Sequence, residues 1–205
     1  HYWVRLAQEK RSKALTAESK KCLQKSLRVH PGAAEAWLEF LIHDYDNKDW
    51  ENLAKNFHKA LKNVTHELRF VLLEGLIQHG LFNENLSEDE DEGYLDAKVT
   101  EALLPVLKEQ SLDTLLTYYG AWLLSRSGDV YTAKTWLEKS LLMDKDFWPA
   151  RLELLSLSMT DQELSPVFKL QLDFFIKRGR KVKRFICKKC GLKRNSIFFV
   201  CPKCK

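Results

Sequence analysis

Four cysteines near the C-terminal end constrain this chain more than any other feature. Cys187-Lys188-Lys189-Cys190 and Cys201-Pro202-Lys203-Cys204 are two C-x-x-C knuckles, separated by the ten residues from Gly191 to Val200. Two knuckles at that spacing can place four thiolates tetrahedrally around one metal ion, two from each. Gly191 follows the first knuckle, where the chain must turn sharply and glycine tolerates positive φ. Pro202 stiffens the second knuckle by fixing its own φ. Phe185-Ile186 and Ile197 to Val200 read as two short strands that bring the knuckles together.

Two other readings of the four cysteines fit less well. A pair of disulfides suits a small secreted domain, whereas this chain has 205 residues and a helical pattern. A redox dithiol of the thioredoxin kind sits in a βαβ pattern, which is absent. Four sulfur ligands leave no open coordination position, so Cys187, Cys190, Cys201 and Cys204 read as a structural site. Zinc is the default ion, and iron suits the same all-sulfur tetrahedron. The fifth cysteine, Cys22, stands alone in a helical stretch and reads as a small packed residue.

Charge divides the chain in two. From Phe174 to Lys205 there are twelve Lys/Arg and no Asp/Glu, and the remaining 21 Lys/Arg face 28 Asp/Glu, a net of −7 over residues 1–173. A basic tail on an acidic body can bind phosphates, an anionic membrane surface or the body itself. A divalent ion held by four thiolates has a formal charge of about −2 and offsets part of the tail. No run of about 18 apolar residues and no signal peptide is seen, so this piece reads as soluble. It opens on His1, which fits a fragment or a processed chain, and an upstream anchor would not be visible.

The body carries a degenerate repeat with a period of 34 residues. Trp3, Leu6 and Ala7 recur as Trp37, Phe40 and Leu41; Ser19, Leu23 and Ser26 recur as Leu53, Phe57 and Ala60. Pro31 closes the first unit, and Thr65 stands where the second proline would fall. This is the tetratricopeptide pattern, in which bulky residues of one helix sit over small residues of its antiparallel partner and the next repeat covers what is left. Leu41 and Leu53 break the pattern, since small residues are expected there. A later unit has Gly120-Ala121 in its first helix, Ser127-Gly128-Asp129 in the turn, and Ala133, Leu137 and Ser140 in its second helix. Ser140 lies 80 residues after Ala60, two periods plus twelve, so the unit between them carries about twelve extra residues.

The insertion falls in residues 83–93, Asn-Glu-Asn-Leu-Ser-Glu-Asp-Glu-Asp-Glu-Gly, read as a solvated loop or as a docking loop for a basic partner. Ser87 with Glu90 forms a candidate capping box, and Pro105 is expected to bend or end the following helix near Leu104. A last helix pair is expected over about 147–158 and 163–177. Trp148-Pro149 starts the first, Asp161 or Ser165 caps the second, and Gly179 ends it. Phe168, Leu172, Phe175 and Ile176 are expected to face inward. The short linker from Arg180 to Arg184 leads to the metal module, which is expected to rest against the last repeats. The chain thus divides into a repeat domain over 1–179 and a four-cysteine module over 180–205.

Enzyme signatures are missing. There is no G-x-S-x-G, H-E-x-x-H or Gly-rich phosphate loop, and no standout carboxylate pair. His43 with Asp44 and Asp46 reads as a solvated turn near a helix end. The six tryptophans fall mostly in repeat helices and read as core. Two non-enzymatic functions remain: a scaffold that binds another protein, and a nucleic-acid binder using the basic tail with Phe198 and Phe199. Consecutive strand residues point to opposite faces, so at least one of these phenylalanines belongs to the module's own core.

Repeats followed directly by two cysteine knuckles are an uncommon combination. Arg184-Phe185-Ile186-Cys187-Lys188-Lys189-Cys190-Gly191-Leu192, with Phe199-Val200-Cys201-Pro202-Lys203-Cys204, resembles the C-terminus of the lipopolysaccharide assembly protein B (LapB) family. His1 to Ala7 also looks like an internal repeat start of that family. The resemblance implies an all-α tetratricopeptide superhelix with a C-terminal zinc-ribbon or rubredoxin-like β module whose ligands are Cys187, Cys190, Cys201 and Cys204. It implies a non-enzymatic adaptor at the cytoplasmic face of the inner membrane, held there by an N-terminal anchor lying outside this chain. There it would act with the membrane protease FtsH on the deacetylase LpxC to regulate lipopolysaccharide synthesis. The acidic insertion and the strongly basic tail depart from the family pattern.

Overall fold

The computed structural model describes residues 2–13, 15–82, 97–110, 113–180, 185–194 and 197–204. The acidic insertion 83–93, the capping pair Ser87 and Glu90, and linker residues 181–184 lie outside the described residues. The described chain is an all-α helical repeat followed by a small cysteine module. It forms two compact units, His1–Gln110 and Ser111–Lys205.

The first unit contains α1 (Tyr2–Ser12), α2 (Thr16–Val29), α3 (Ala34–Asp46), α4 (Trp50–Asn63), a 3-10 turn (His66–Leu68), α5 (Phe70–Phe82) and α6 (Ala97–Lys108). Helix α1 pairs with α2 and α3 with α4; α3 also packs on α2 and α5, and α4 on α6. Most residues of the 34-residue pattern enter this core, although Trp3 and Leu6 are only half-buried. Ala7, Leu23 and Phe40 make one cluster, and Leu53, Phe57 and Ala60 are wholly buried. Ser19 occupies its small-residue position with its hydroxyl donating to the Ala7 carbonyl at 2.8 Å, which satisfies a polar group inside the helix pair. The two pattern-breaking leucines, Leu41 and Leu53, are buried as completely as the small residues they replace. Helix α3 is enclosed on most sides, with Ala36, Trp37, Leu38, Phe40, Leu41 and Ile42 all buried. Helix α6 runs through Pro105 to Lys108 rather than ending near Leu104.

The second unit contains α7 (Thr114–Arg126), α8 (Val130–Met143), α9 (Trp148–Ser158), a 3-10 turn (Met159–Asp161), α10 (Pro166–Arg180), β1 (Phe185–Ile186) and β2 (Lys193–Arg194). Helix α7 pairs with α8, α8 with α9, and α9 with α10. Gly120 lets α7 and α8 approach, since a Cβ there would run into the Trp136 ring. Asp113 and Asp129 cap α7 and α8, accepting from the backbone N–H groups of Leu116 (2.7 Å) and Thr132 (3.1 Å). Gly128 sits at φ +88° in the turn between them; its counterpart 80 residues earlier is Lys48, held in the same left-handed region at φ 54°.

Helix α10 departs from the expectation at both ends and on its faces. Ser165 caps it weakly, through the Phe168 N–H at 3.4 Å, while Asp161 instead pairs with Lys134. Gly179 does not end the helix. It lies inside it, where an added Cβ would stand 2.5 Å from Leu152 Cδ1 and 2.9 Å from the Trp148 ring. Of the four residues expected to face inward, Ile176 is buried and Leu172 half-buried, but Phe168 and Phe175 are exposed. The reason is geometric: α10 has α9 on one side and, among the described residues, no further helix to cover the rest of its apolar surface.

Candidate metal centre

The first knuckle is a closed turn. The Cys187 N–H donates to the Leu192 carbonyl and the Gly191 N–H to the Cys187 carbonyl, both at 2.9 Å, and Gly191 adopts φ +69° as its position demands. This turn folds the chain straight back, so β1 pairs antiparallel with β2, Phe185 opposite Arg194 and Ile186 opposite Lys193. The strand expected over Ile197 to Val200 does not form; the partner of β1 comes from the residues just after the first knuckle, which its tight turn delivers first. Without that strand, alternation does not govern Phe198 and Phe199. Phe198 is half-buried and Phe199 is exposed.

The fold brings all four cysteines of the two knuckles together. Their sulfurs lie within 4.8 Å of one another, and two approaches cross between the knuckles, Cys187 Sγ to Cys204 Sγ at 3.7 Å and Cys190 Sγ to Cys201 Sγ at 3.5 Å. A disulfide requires an S–S distance of about 2.05 Å, so these are four thiols. A tetrahedron with metal–sulfur bonds of about 2.3 Å has sulfurs about 3.8 Å apart. The two cross-knuckle distances match that edge, and all four sulfurs lie within 4.8 Å of one another. The residues present therefore fit a tetrahedral ion with four sulfur ligands. Cys201 is buried and the other three are half-buried, so the site sits in a shallow shell with no fifth ligand among the described residues.

The electrostatics alternate around the cluster. The backbone N–H groups of Cys190 and Lys189 point at the Cys187 sulfur and hold its thiol below the usual range. Those of Cys204 and, less strongly, Lys203 do the same for Cys201, drawing it down to about 6 against the burial that opposes them. The second cysteine of each knuckle goes the other way. Burial, followed by the sulfurs of Cys201, Cys190 and Cys187, pushes Cys204 up to about 12. At Cys190 the Leu192 amide acts downward, yet burial and the sulfurs of Cys201 and Cys187 outweigh it and the thiol stands above its usual range. Four sulfurs this close cannot all ionise alone, and a divalent cation at their centre relieves the repulsion that keeps two of them protonated. Those knuckle amides are the functional groups that spacing alone did not name. The C-x-x-C turn is the only sequence signal for them.

The other candidate constellation resolves differently. Asp44 is buried and not in a solvated turn; it accepts a hydrogen bond from Asn56 Nδ2 at 2.6 Å, and its carboxyl is pushed up by burial. His43 Nδ1 lies 3.7 Å from Asp44, while Asp46 meets His79 Nε2 at 2.6 Å. The three residues divide between two separate structural contacts and make no common site. Cys22 is half-buried against the Ala7, Leu23 and Phe40 cluster, as a small packed residue should be. Among the described residues, no helix is long and apolar enough to cross a membrane. No protein-family model matches the chain, and no curated protein matches it in sequence.

Proposed function

We propose that this chain is a non-enzymatic, protein-binding scaffold of the tetratricopeptide type, closed at its end by a structural zinc site, with iron as the alternative ion. The supporting observation is the pairing of a helical repeat with four convergent sulfurs that leave no ligand position for a substrate. Helical repeats present extended surfaces for partner chains, and a four-sulfur ion fixes a fold where hydrophobic burial is too small to do so.

The resemblance of Arg184 to Leu192 and Phe199 to Cys204 to the LapB family supplies the specific form of the reading. In it the scaffold joins an FtsH-type membrane protease to an LpxC-type deacetylase at the cytoplasmic face of the inner membrane and so regulates lipopolysaccharide synthesis. The alternative is a nucleic-acid module. It draws on the exposed Phe199 and on the exposed Lys193, Arg194 and Lys203 of the same module.

The test is affinity capture from native cells with the natural upstream sequence attached, after nuclease treatment, comparing the chain with its Cys187→Ser variant. Capture of a membrane protease or a lipid A enzyme that disappears in the variant supports the adaptor. Capture of nucleic acid that falls steeply as salt rises favours the basic tail and removes the adaptor reading. Elemental analysis of the purified chain distinguishes zinc from iron.

A further inference from the structure

The first unit contains an open groove of about 460 Å³ with polar and basic side chains on two walls. One wall is α2, with Lys20, Gln24 and Arg28 four residues apart on a single face; the other is α4, with Asn52, Asn56 and Lys59 on its facing side. The floor is the edge of Trp37 from α3, whose indole N–H is fixed on the Pro31 carbonyl at 2.7 Å. These walls are the second helices of successive repeats. A volume of this order is typical of a pocket that encloses a ligand of several non-hydrogen groups, about 300–1,000 Å³.

Three observations define what would occupy it. First, Lys20, Arg28 and Lys59 bring three cations to the walls, and among the described residues none of them forms an ion pair. Second, the two asparagines are oriented. Asn52 Nδ2 donates to Asp49 Oδ2 and Asn56 Nδ2 to Asp44 Oδ2, both at 2.6 Å, so each amide is held by one of its two N–H groups and keeps the other N–H and its carbonyl oxygen for a ligand. Third, Trp37 gives an aromatic floor between the polar walls. A free phosphate would use the cations and leave the acceptors and the floor unmatched. An extended peptide uses all three, with side-chain carboxylates on Lys20, Arg28 and Lys59, backbone N–H groups on the asparagine carbonyls, and one apolar side chain on the indole.

We infer that the α2–α4 groove is a binding site for a short acidic peptide segment of a partner protein, with an apolar residue between its acids. This deepens the scaffold reading and rests on it for the statement that the partner is a protein.

The experiment uses the full, metal-loaded chain and an acetylated, amidated peptide Glu-Asp-Leu-Glu-Asp. The indole N–H resonance of Trp37, assigned with Trp37→Phe, reports the groove, and calorimetry gives the affinity. The expected result is a shift of that resonance on titration. Arg28→Glu and Lys59→Glu should each weaken binding by about tenfold or more, the size of one charge-assisted hydrogen bond. The Gln-Asn-Leu-Gln-Asn peptide should bind at least as weakly as those variants do. The basic tail is the competing anion binder, so Lys188→Ser/Lys189→Ser should leave the affinity unchanged. Equal binding of the neutral peptide overturns the inference. So does indifference to Arg28→Glu and Lys59→Glu, a loss that follows the tail substitutions, or an equal Trp37 shift with inorganic phosphate alone. Arg28→Gln and Lys59→Gln, with the helical melt as control, keep the test usable if either reversal disturbs the fold. If the Glu variants still capture the same cellular partner, the groove fails and the scaffold stands. If the peptide binds at Trp37 but no protein is captured, the scaffold fails and the groove stands.

Discussion

Metal binding at the four cysteines should depend steeply on pH, and the slope follows from the asymmetry of the thiols. Protons and metal compete for the same sulfur lone pairs, so affinity must rise with pH and fall as pH drops. At pH 7.5 Cys201, held at about 6, is already a thiolate. Cys204, at about 12, carries its proton, and Cys190, above the usual thiol range, carries one too. Cys187 is held below its usual range by the Cys190 and Lys189 amides and contributes at most one more. Binding one ion at that pH therefore releases about two to three protons, and log K should climb by about two to three for each pH unit. Below about pH 6 Cys201 also protonates, and the slope should steepen toward about four. Cobalt(II) provides the assay, because a tetrahedral all-sulfur site gives intense visible and thiolate charge-transfer bands. Competition against a chelator of known pH dependence, in steps of half a unit from pH 5.5 to 8, gives the slope. A slope near one would refute the reasoning. It would mean either that the sulfurs are ionised before the ion arrives or that fewer than four of them bind it.

Three substitutions test the helical part. Gly128→Ala should destabilise the second unit by about 1 kcal/mol, because φ +88° is strained for any residue with a Cβ although the space beside it is empty. Lys48→Gly should do the reverse in the first unit by relieving a side chain held at φ 54°, and thermal melts of the two variants should shift in opposite directions. Gly120→Ala sets two effects against each other. Helix propensity alone favours alanine by about 1 kcal/mol, whereas the overlap with the Trp136 ring costs about 1–3 kcal/mol, so a net loss is expected and a gain would show that the ring moves freely.

Where local chemistry decides the outcome, the sequence was legible. The glycine after the first knuckle takes the positive φ its turn requires, most of the small and large residues of the 34-residue pattern are buried in the helical core, and the four cysteines converge. What was not legible depends on neighbours far away in the chain. Phe168 and Phe175 share helical spacing with Ile176, but spacing cannot say that α10 is covered on one side only. Gly179 looks like a helix terminator until the Trp148 and Leu152 side chains are seen against it. Asp44 looks solvated beside Asp46, and only the fold places Asn56 opposite it. The partner of β1 is hidden in the sequence for a related reason. Apolar residues at Ile197 to Val200 advertise a strand, whereas the choice of partner was made by a turn whose closing hydrogen bonds leave no mark in composition.

The knuckle module has an energetic consequence. Of its described residues between 185 and 204, only Cys201 is buried, and its sheet is two strands of two residues each. A module this small has no apolar core to offset the entropy of ordering it, which is about 1–2 kcal/mol per residue for the backbone alone. Its order must come from the ion, whose binding energy is its folding energy. The helices have their own buried cores and do not depend on it. Removing the ion, by a chelator or by Cys201→Ser, should therefore abolish the dispersed amide resonances of residues 185–204 while leaving the helical circular dichroism melt within about 2 °C, since surface changes remote from a core usually stay within about 0.5 kcal/mol. A helical melt that falls by many degrees with the ion would show instead that the module braces the repeats, and would shift its role from a separately folded end piece to a structural part of the stack.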